Sequence, residues 1–238
     1  SNCSSPQYYY NRTIKECELK YSKGYKTSEL FNIFSLGALT KRDILSVSYS
    51  KNELNSQICD FLDSLQTTPQ VCEKYKLPLK DNDKWNAEKT RLNYNKDLIS
   101  KDTIVYNYRP FDKRYLLYND LFVARQNIKV LKNIFINSPG LTLCRQGVAA
   151  NVEVWDSIFI INIPSDQNLY RRGGATVFPL FTYSVALGKT IRTPNLKPEI
   201  VAEISEKLGL PFAPDSDGGV TESFAPIDLL DYIYAVLH

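Results

Sequence analysis

The chain contains no methionine and only one histidine, His238, at its last position. A lone terminal imidazole leaves no material for a Ser-His-Asp or Cys-His catalytic site. The five cysteines, Cys3, Cys17, Cys59, Cys72 and Cys144, are odd in number and scattered, and no C-x-x-C pair occurs among them. That spacing argues against a zinc site and for reduced thiols in a cytoplasmic protein. Neither G-x-G-x-x-G nor a Walker A run is present, which removes the common nucleotide-phosphate cradles. There is no stretch of about 18 apolar residues, so no membrane helix is expected and no membrane partner. The opening SNCSSPQYYYNRT lacks the basic and apolar regions of a signal peptide. With no methionine at position 1, the chain is expected to be an excised piece of a longer protein. Glu18-Leu19-Lys20 matches the E-x-K of some metal nucleases, but it lacks their upstream Pro-Asp partner, so no metal site is assigned.

What is present is an ordinary globular composition. The chain has 238 residues, of which 43% are hydrophobic, and a net charge of +3. That length makes one large domain, residues 1–238, or two smaller ones divided near residue 100. Ser50 and Glu53 form a capping box ahead of Leu54, Ile58, Leu62 and Leu65, which recur at helical spacing. Thr68-Pro69 opens a second helix, which should end before Pro78. A third is expected from Asn195 as its cap, through Ile200, Ile204 and Leu208, to a stop at Gly209, and the final segment PIDLLDYIYAVLH is amphipathic. Strands are expected within 28–36, 43–49, 103–108, 114–118, 121–124, 141–145, 157–163 and 177–183. The elements do not alternate as βαβ units, so the expected class is α+β, with mixed, largely antiparallel sheets and flanking helices.

One stretch stands apart. From Thr103 to Val130, Arg109, Lys113, Arg114 and Arg125 are interleaved with Tyr106, Tyr108, Phe111, Tyr115, Tyr118 and Phe122. Cations attract phosphate and flat rings offer stacking surface, the materials of a nucleic-acid groove. Composition alone also fits a half-buried strand pair with solvated arginines, and favours it.

The order of several blocks tips the balance. Ser35-Leu36-Gly37-Ala38-Leu39-Thr40-Lys41-Arg42-Asp43 resembles the S-x-G-x-x-T-x-R-D block that follows the methyltransferase core of type ISP and related single-chain restriction-modification enzymes. Tyr108-Arg109-Pro110-Phe111-Asp112, with Arg114 and Tyr115, resembles the Y-R-P-F-D-x-R block of their target-recognition region. Phe178-Pro179-Leu180-Phe181-Thr182-Tyr183 and the tail Asp231 to His238 are similar to two further blocks of that family, in the same order. The resemblance implies a double-stranded-DNA target-recognition domain of a bacterial adenine-N6 methyltransferase or methyltransferase–endonuclease. The family's S-adenosylmethionine site and its N-P-P-Y/F catalytic motif would lie in an upstream methyltransferase domain. Neither is present here, so this polypeptide carries no cofactor and no catalytic residue of its own.

Under that reading the candidate DNA-binding residues are Lys41, Arg42, Arg109, Arg114, Arg145, Gln146, Arg171 and Arg172. Lys41 and Arg42 follow a glycine turn, a good placement for phosphate contact, although Arg42 could equally bridge to Asp43. Arg109 and Asp112 flank Pro110 and form either a turn-shaping ion pair or a DNA contact. Arg145 and Gln146 end a strand with side chains able to grip guanine and adenine edges. Arg171 and Arg172 precede a glycine pair in a polar loop. The rival readings are a hydrolase fragment, which needs convergent carboxylates in a pocket, and a protein-interaction domain, which needs an exposed apolar patch.

Overall fold

The computed structural model describes residues 19, 22–81, 85–144, 157–170, 174–219 and 221–237. Two antiparallel sheets and a separate hairpin, with helices packed around them, give the α+β class expected. The chain opens with a short helix α1 (Thr27–Leu30), strand β1 (Ser35–Leu36), a one-turn helix α2 (Asp43–Ser46) and strand β2 (Val47–Ser48). Helices α3 (Lys51–Phe61), α4 (Thr68–Lys74), α5 (Ala87–Asn93) and α6 (Ile99–Asp102) then lead into a hairpin of β3 (Thr103–Arg109) and β4 (Asp112–Leu117). The rest comprises α7 (Ile128–Ile136), β5 (Gly140–Cys144), β6 (Ile158–Ile161), β7 (Ala175–Pro179), β8 (Phe181–Ala186), β9 (Lys189–Pro194), α8 (Pro198–Leu208) and α9 (Pro226–Leu237).

The four-stranded sheet runs β1-β7-β5-β6 and the three-stranded sheet β2-β4-β3, while β8 and β9 pair only with each other. The first segments of the chain therefore supply an edge strand to each sheet built later in sequence. Between the sheets lies a core of Ala38, Val47, Tyr106, Leu116, Val123, Leu131, Ile134, Ile161 and Val177. Helix α7 fills this gap because Val130, Leu131 and Ile134 share one face at helical spacing. A second core joins α3, α4 and α6 to Trp85, Leu117 and Phe122, and a third packs β5, β7, α8 and α9 together.

Local signals decided several elements as expected. Ser50 Oγ accepts from the backbone N–H of Glu53 at 3.2 Å and starts α3. Helix α4 begins where Thr68-Pro69 was expected to open it, but its cap is Thr67, in a capping box with Gln70, and not Thr68. Elsewhere tertiary contacts override the expectation. Residues 28–36 split into α1 and β1, and 43–49 into α2 and β2, because β1 and β2 form only where β7 and β4 offer a partner. Residues 121–124 hold no named strand. The run 177–183 breaks at Leu180 into β7 and β8, which belong to different sheets. Asn195 does not cap α8, whose N-cap is Lys197. Its buried amide instead donates to the carbonyls of Ile33 and Pro179 at 2.7 and 2.8 Å and so ties β7 to the α1–β1 connection. Helix α7 and strand β9 were not expected from the sequence.

Candidate nucleic-acid interface

The site is built on the β3–β4 hairpin, whose strands pair from Thr103↔Leu117 to Arg109↔Asp112. Its tip is Pro110-Phe111, with φ of 62° at Phe111. Proline first and positive φ second is the pattern of a type II turn, which normally places glycine at the second position. A non-glycine residue there costs about 1–2 kcal/mol. Phe111 is also 97% exposed, which forgoes the ~1.5–3 kcal/mol that burying a phenyl ring supplies. Its ring meets that of Phe159 edge to face at 5.6 Å, and Phe159 is stacked on Tyr170 at 5.7 Å.

Behind the tip the arginines and tyrosines form a ladder. The Arg109 and Arg114 guanidinium carbons each lie 3.9 Å from the Tyr108 ring centroid, so the ring is engaged by two cations at once. Arg114 also lies 4.2 Å over Tyr49 and donates to its hydroxyl at 2.9 Å. Each arginine is held by an acid: Arg114 by Asp112 at 2.8 Å and Arg109 by Asp166 at 3.2 Å. Tyr108 Oη donates to Asp43 at 2.9 Å, and Asp43 also accepts from Thr40 Oγ1. Burial, reinforced by the Asp43 hydrogen bond, raises the Tyr108 phenol above its ordinary pKa.

Asp166 is 2% exposed. Burial pushes its carboxyl up to about 6, against the downward pull of the Asn168 N–H and the Arg109 cation. The segment carrying it packs against the Gly37 turn: Ala38 bridges to Asp166, and Asn107 to Ser165. A Cβ on Gly37 would lie 2.5 Å from the Ser165 carbonyl oxygen and 2.7 Å from Asp166 backbone atoms, so only glycine fits. Asn127 seals the same corner by donating to the carbonyls of Leu36 and Gly37 at 2.8 and 2.9 Å.

The structure separates the sequence candidates. Lys41 is exposed, with φ of 60°, in the turn leading to Asp43 and hence beside the Tyr108 ladder. Arg42, its neighbour, turns inward: it is 3% exposed, pairs with Asp81 at 2.7 Å and lies 4.7 Å over the Trp85 ring. Its guanidinium is thereby committed inside the protein, in an ion pair with Asp81 and not the alternative with Asp43. Arg109 and Arg114 converge on Tyr108, with side chains 31% and 20% exposed. Arg145, Gln146, Arg171 and Arg172 lie outside the described residues.

The sequence list missed two cations that the geometry adds. Arg125 is exposed and its backbone pairs in both directions with Leu39, two residues from Lys41. Lys113 is exposed beside the hairpin tip. Both stood in the basic-aromatic stretch, so the signal existed, but only folding shows which cations face solvent. Asp166 and Tyr49 had no local signal at all, because their partners are distant in the chain. A separate cleft of about 330 Å³ at the base of β8–β9, lined by Tyr183, Arg192, Ser216 and Asp217 among others, holds a single carboxylate and not a convergent acid pair. Among the described residues, no group of three or more His, Cys, Asp or Glu is placed to hold a metal ion, and no helix is long and apolar enough to cross a membrane.

This architecture is shared with parts of much larger proteins. The chain is similar to a region of the DrdV–DNA complex, with a TM-score of 0.59 and 19% identity over 91% of this chain and 20% of that one. It is likewise similar to a region of the ATP-dependent type ISP restriction-modification enzyme LlaBIII bound to DNA, with a TM-score of 0.57 and 19% identity over 91% of this chain and 13% of that one. The chain thus spans a fifth or less of those proteins. No curated protein sequence matches it. Residues 29–238 match the family model of the type ISP C-terminal specificity domain, and the chain belongs to that family.

Proposed function

We propose that this chain is the sequence-reading domain of a bacterial adenine-N6 DNA methyltransferase or restriction-modification enzyme. It grips double-stranded DNA and positions it for base flipping and methylation by a catalytic domain on the same polypeptide. S-adenosylmethionine would be bound by that other domain and not by this chain. Membership of the specificity-domain family supports the reading, as does likeness in fold to regions of two proteins solved with DNA. The observation that carries it is the β3–β4 hairpin with its arginine–tyrosine ladder, flanked by exposed Lys41, Lys113 and Arg125.

The division of labour follows from burial. Lys41, Lys113 and Arg125 supply phosphate contacts, since they present charge to solvent. Arg109 and Arg114 are oriented by Asp166 and Asp112, and such fixed guanidiniums serve specificity better than raw attraction. Arg145, Gln146, Arg171 and Arg172 remain proposed contacts from the sequence. Arg42 positions the Lys41 turn from inside.

The test is titration of duplex DNA at two salt concentrations with Lys41→Ala, Lys113→Ala and Arg125→Ala. Each phosphate contact removed should weaken binding across all sequences and reduce the slope of log affinity against log salt by about 1. Unchanged affinity in all three variants at both salts sinks the assignment.

A further inference from the structure

We propose that Phe111, carried with Pro110 at the hairpin tip, is a wedge that inserts between adjacent base pairs of the bound duplex; this rests on the DNA-reading function above. Three features of the tip converge on it. The ring is 97% exposed, so nearly all of its surface is available to meet a base step. The turn holds a phenylalanine at a φ of 62°, a conformation that would suit glycine, so the strain serves to project the ring. The ring is also backed at 5.6 Å by Phe159, itself stacked on Tyr170, which braces the tip against being pushed back.

Charge is arranged to match. Lys113 lies exposed on one side of the tip and partly exposed Arg109 on the other, where the phosphates flanking an opened step would pass. Apolar wedges of Phe and Pro are known to unstack a step and kink the duplex by roughly 20–90°. Tyr108, by contrast, is half-buried with two guanidiniums 3.9 Å from its ring centroid and cannot play this part.

The full-length protein should be titrated with a pool of random-sequence duplexes carrying a fluorophore at each end, and with the same pool bearing one central abasic site. Wild type is expected to shorten the end-to-end distance and to prefer the abasic pool, where the unstacking cost is lower. Phe111→Ala should bind the intact pool about tenfold more weakly. It should also lose both the bend and the abasic preference, while its melting temperature and salt slope stay unchanged. Phe111→Trp should restore the bend and the preference. Wild-type affinity, bend and preference in Phe111→Ala would overturn the wedge and leave the DNA reading standing. An altered salt slope with the bend intact would assign Phe111 to shaping the cation ladder and would equally overturn it. Wild type that fails to bind either pool at low salt would overturn both.

Discussion

At Gly37 a single hydrogen in place of a methyl group decides whether two segments can meet. The backbone of Ser165 and Asp166 occupies the space a Cβ would need. Gly37→Ala should therefore force apart the corner that seats Asp166 and cost about 1–3 kcal/mol, read as a lowered thermal midpoint. Asp166 gives a second prediction. Its carboxyl is raised to about 6 because burial outweighs the pull of Arg109. The folded state thus favours the protonated acid, and the stability it contributes is complete below about pH 4 and lost as pH rises through about 6. Asp166→Asn should remove this share of the pH dependence of the melting temperature. Arg109→Ala should move the Asp166 titration, followed by carboxyl NMR, to higher pH, since the guanidinium now lowers it. An unmoved titration would show that Arg109 does not act on this group.

At the scale of elements, the turn into α2 sets two adjacent cations to opposite tasks. Arg42→Ala breaks the 2.7 Å ion pair with Asp81 and strips the Trp85 face, which should cost about 3 kcal/mol in denaturant unfolding. Lys41→Ala, at an exposed position, should change stability by no more than about 0.5 kcal/mol yet weaken DNA binding. If both variants lose affinity in proportion to stability, the division between them is wrong. The hairpin shows the same economy: acids hold Arg109 and Arg114 in place, so their role is orientation and not a surplus of positive charge. Helix starts were legible because caps are local chemistry, as Ser50 shows, although at α4 the cap proved to be Thr67, one residue before the Thr68 expected. The breaks within 28–36, 43–49 and 177–183 were not, because a two-residue strand such as β1 or β2 exists only by pairing with a segment far along the chain.

At the scale of the whole molecule, the edge strands β1 and β2 knit the first fifty residues into sheets completed after residue 100. We propose that the chain behaves as one unit on this account. Cooperative unfolding with coincident transitions for Trp fluorescence and far-ultraviolet dichroism is the expected outcome, and two separated transitions would divide it near residue 100. The same knitting carries the Lys41 turn, the β3–β4 hairpin and the Asp166 segment to one corner, so cations spread over more than seventy positions act together. Of the eight residues singled out from sequence, Lys41, Arg109 and Arg114 meet there and Arg42 lies buried behind them.

The sequence by itself determined the family, the α+β class, the helix caps and the concentration of cations and rings between Thr103 and Val130, because these depend on residue type and short spacing. Which cation faces water, which is spent on an acid, and why Phe111 stands bare at a strained tip were decided only by the tertiary structure. Burial and pairing are set by partners such as Asp81 and Asp166, and nothing local to Arg42 or Arg109 specifies either one.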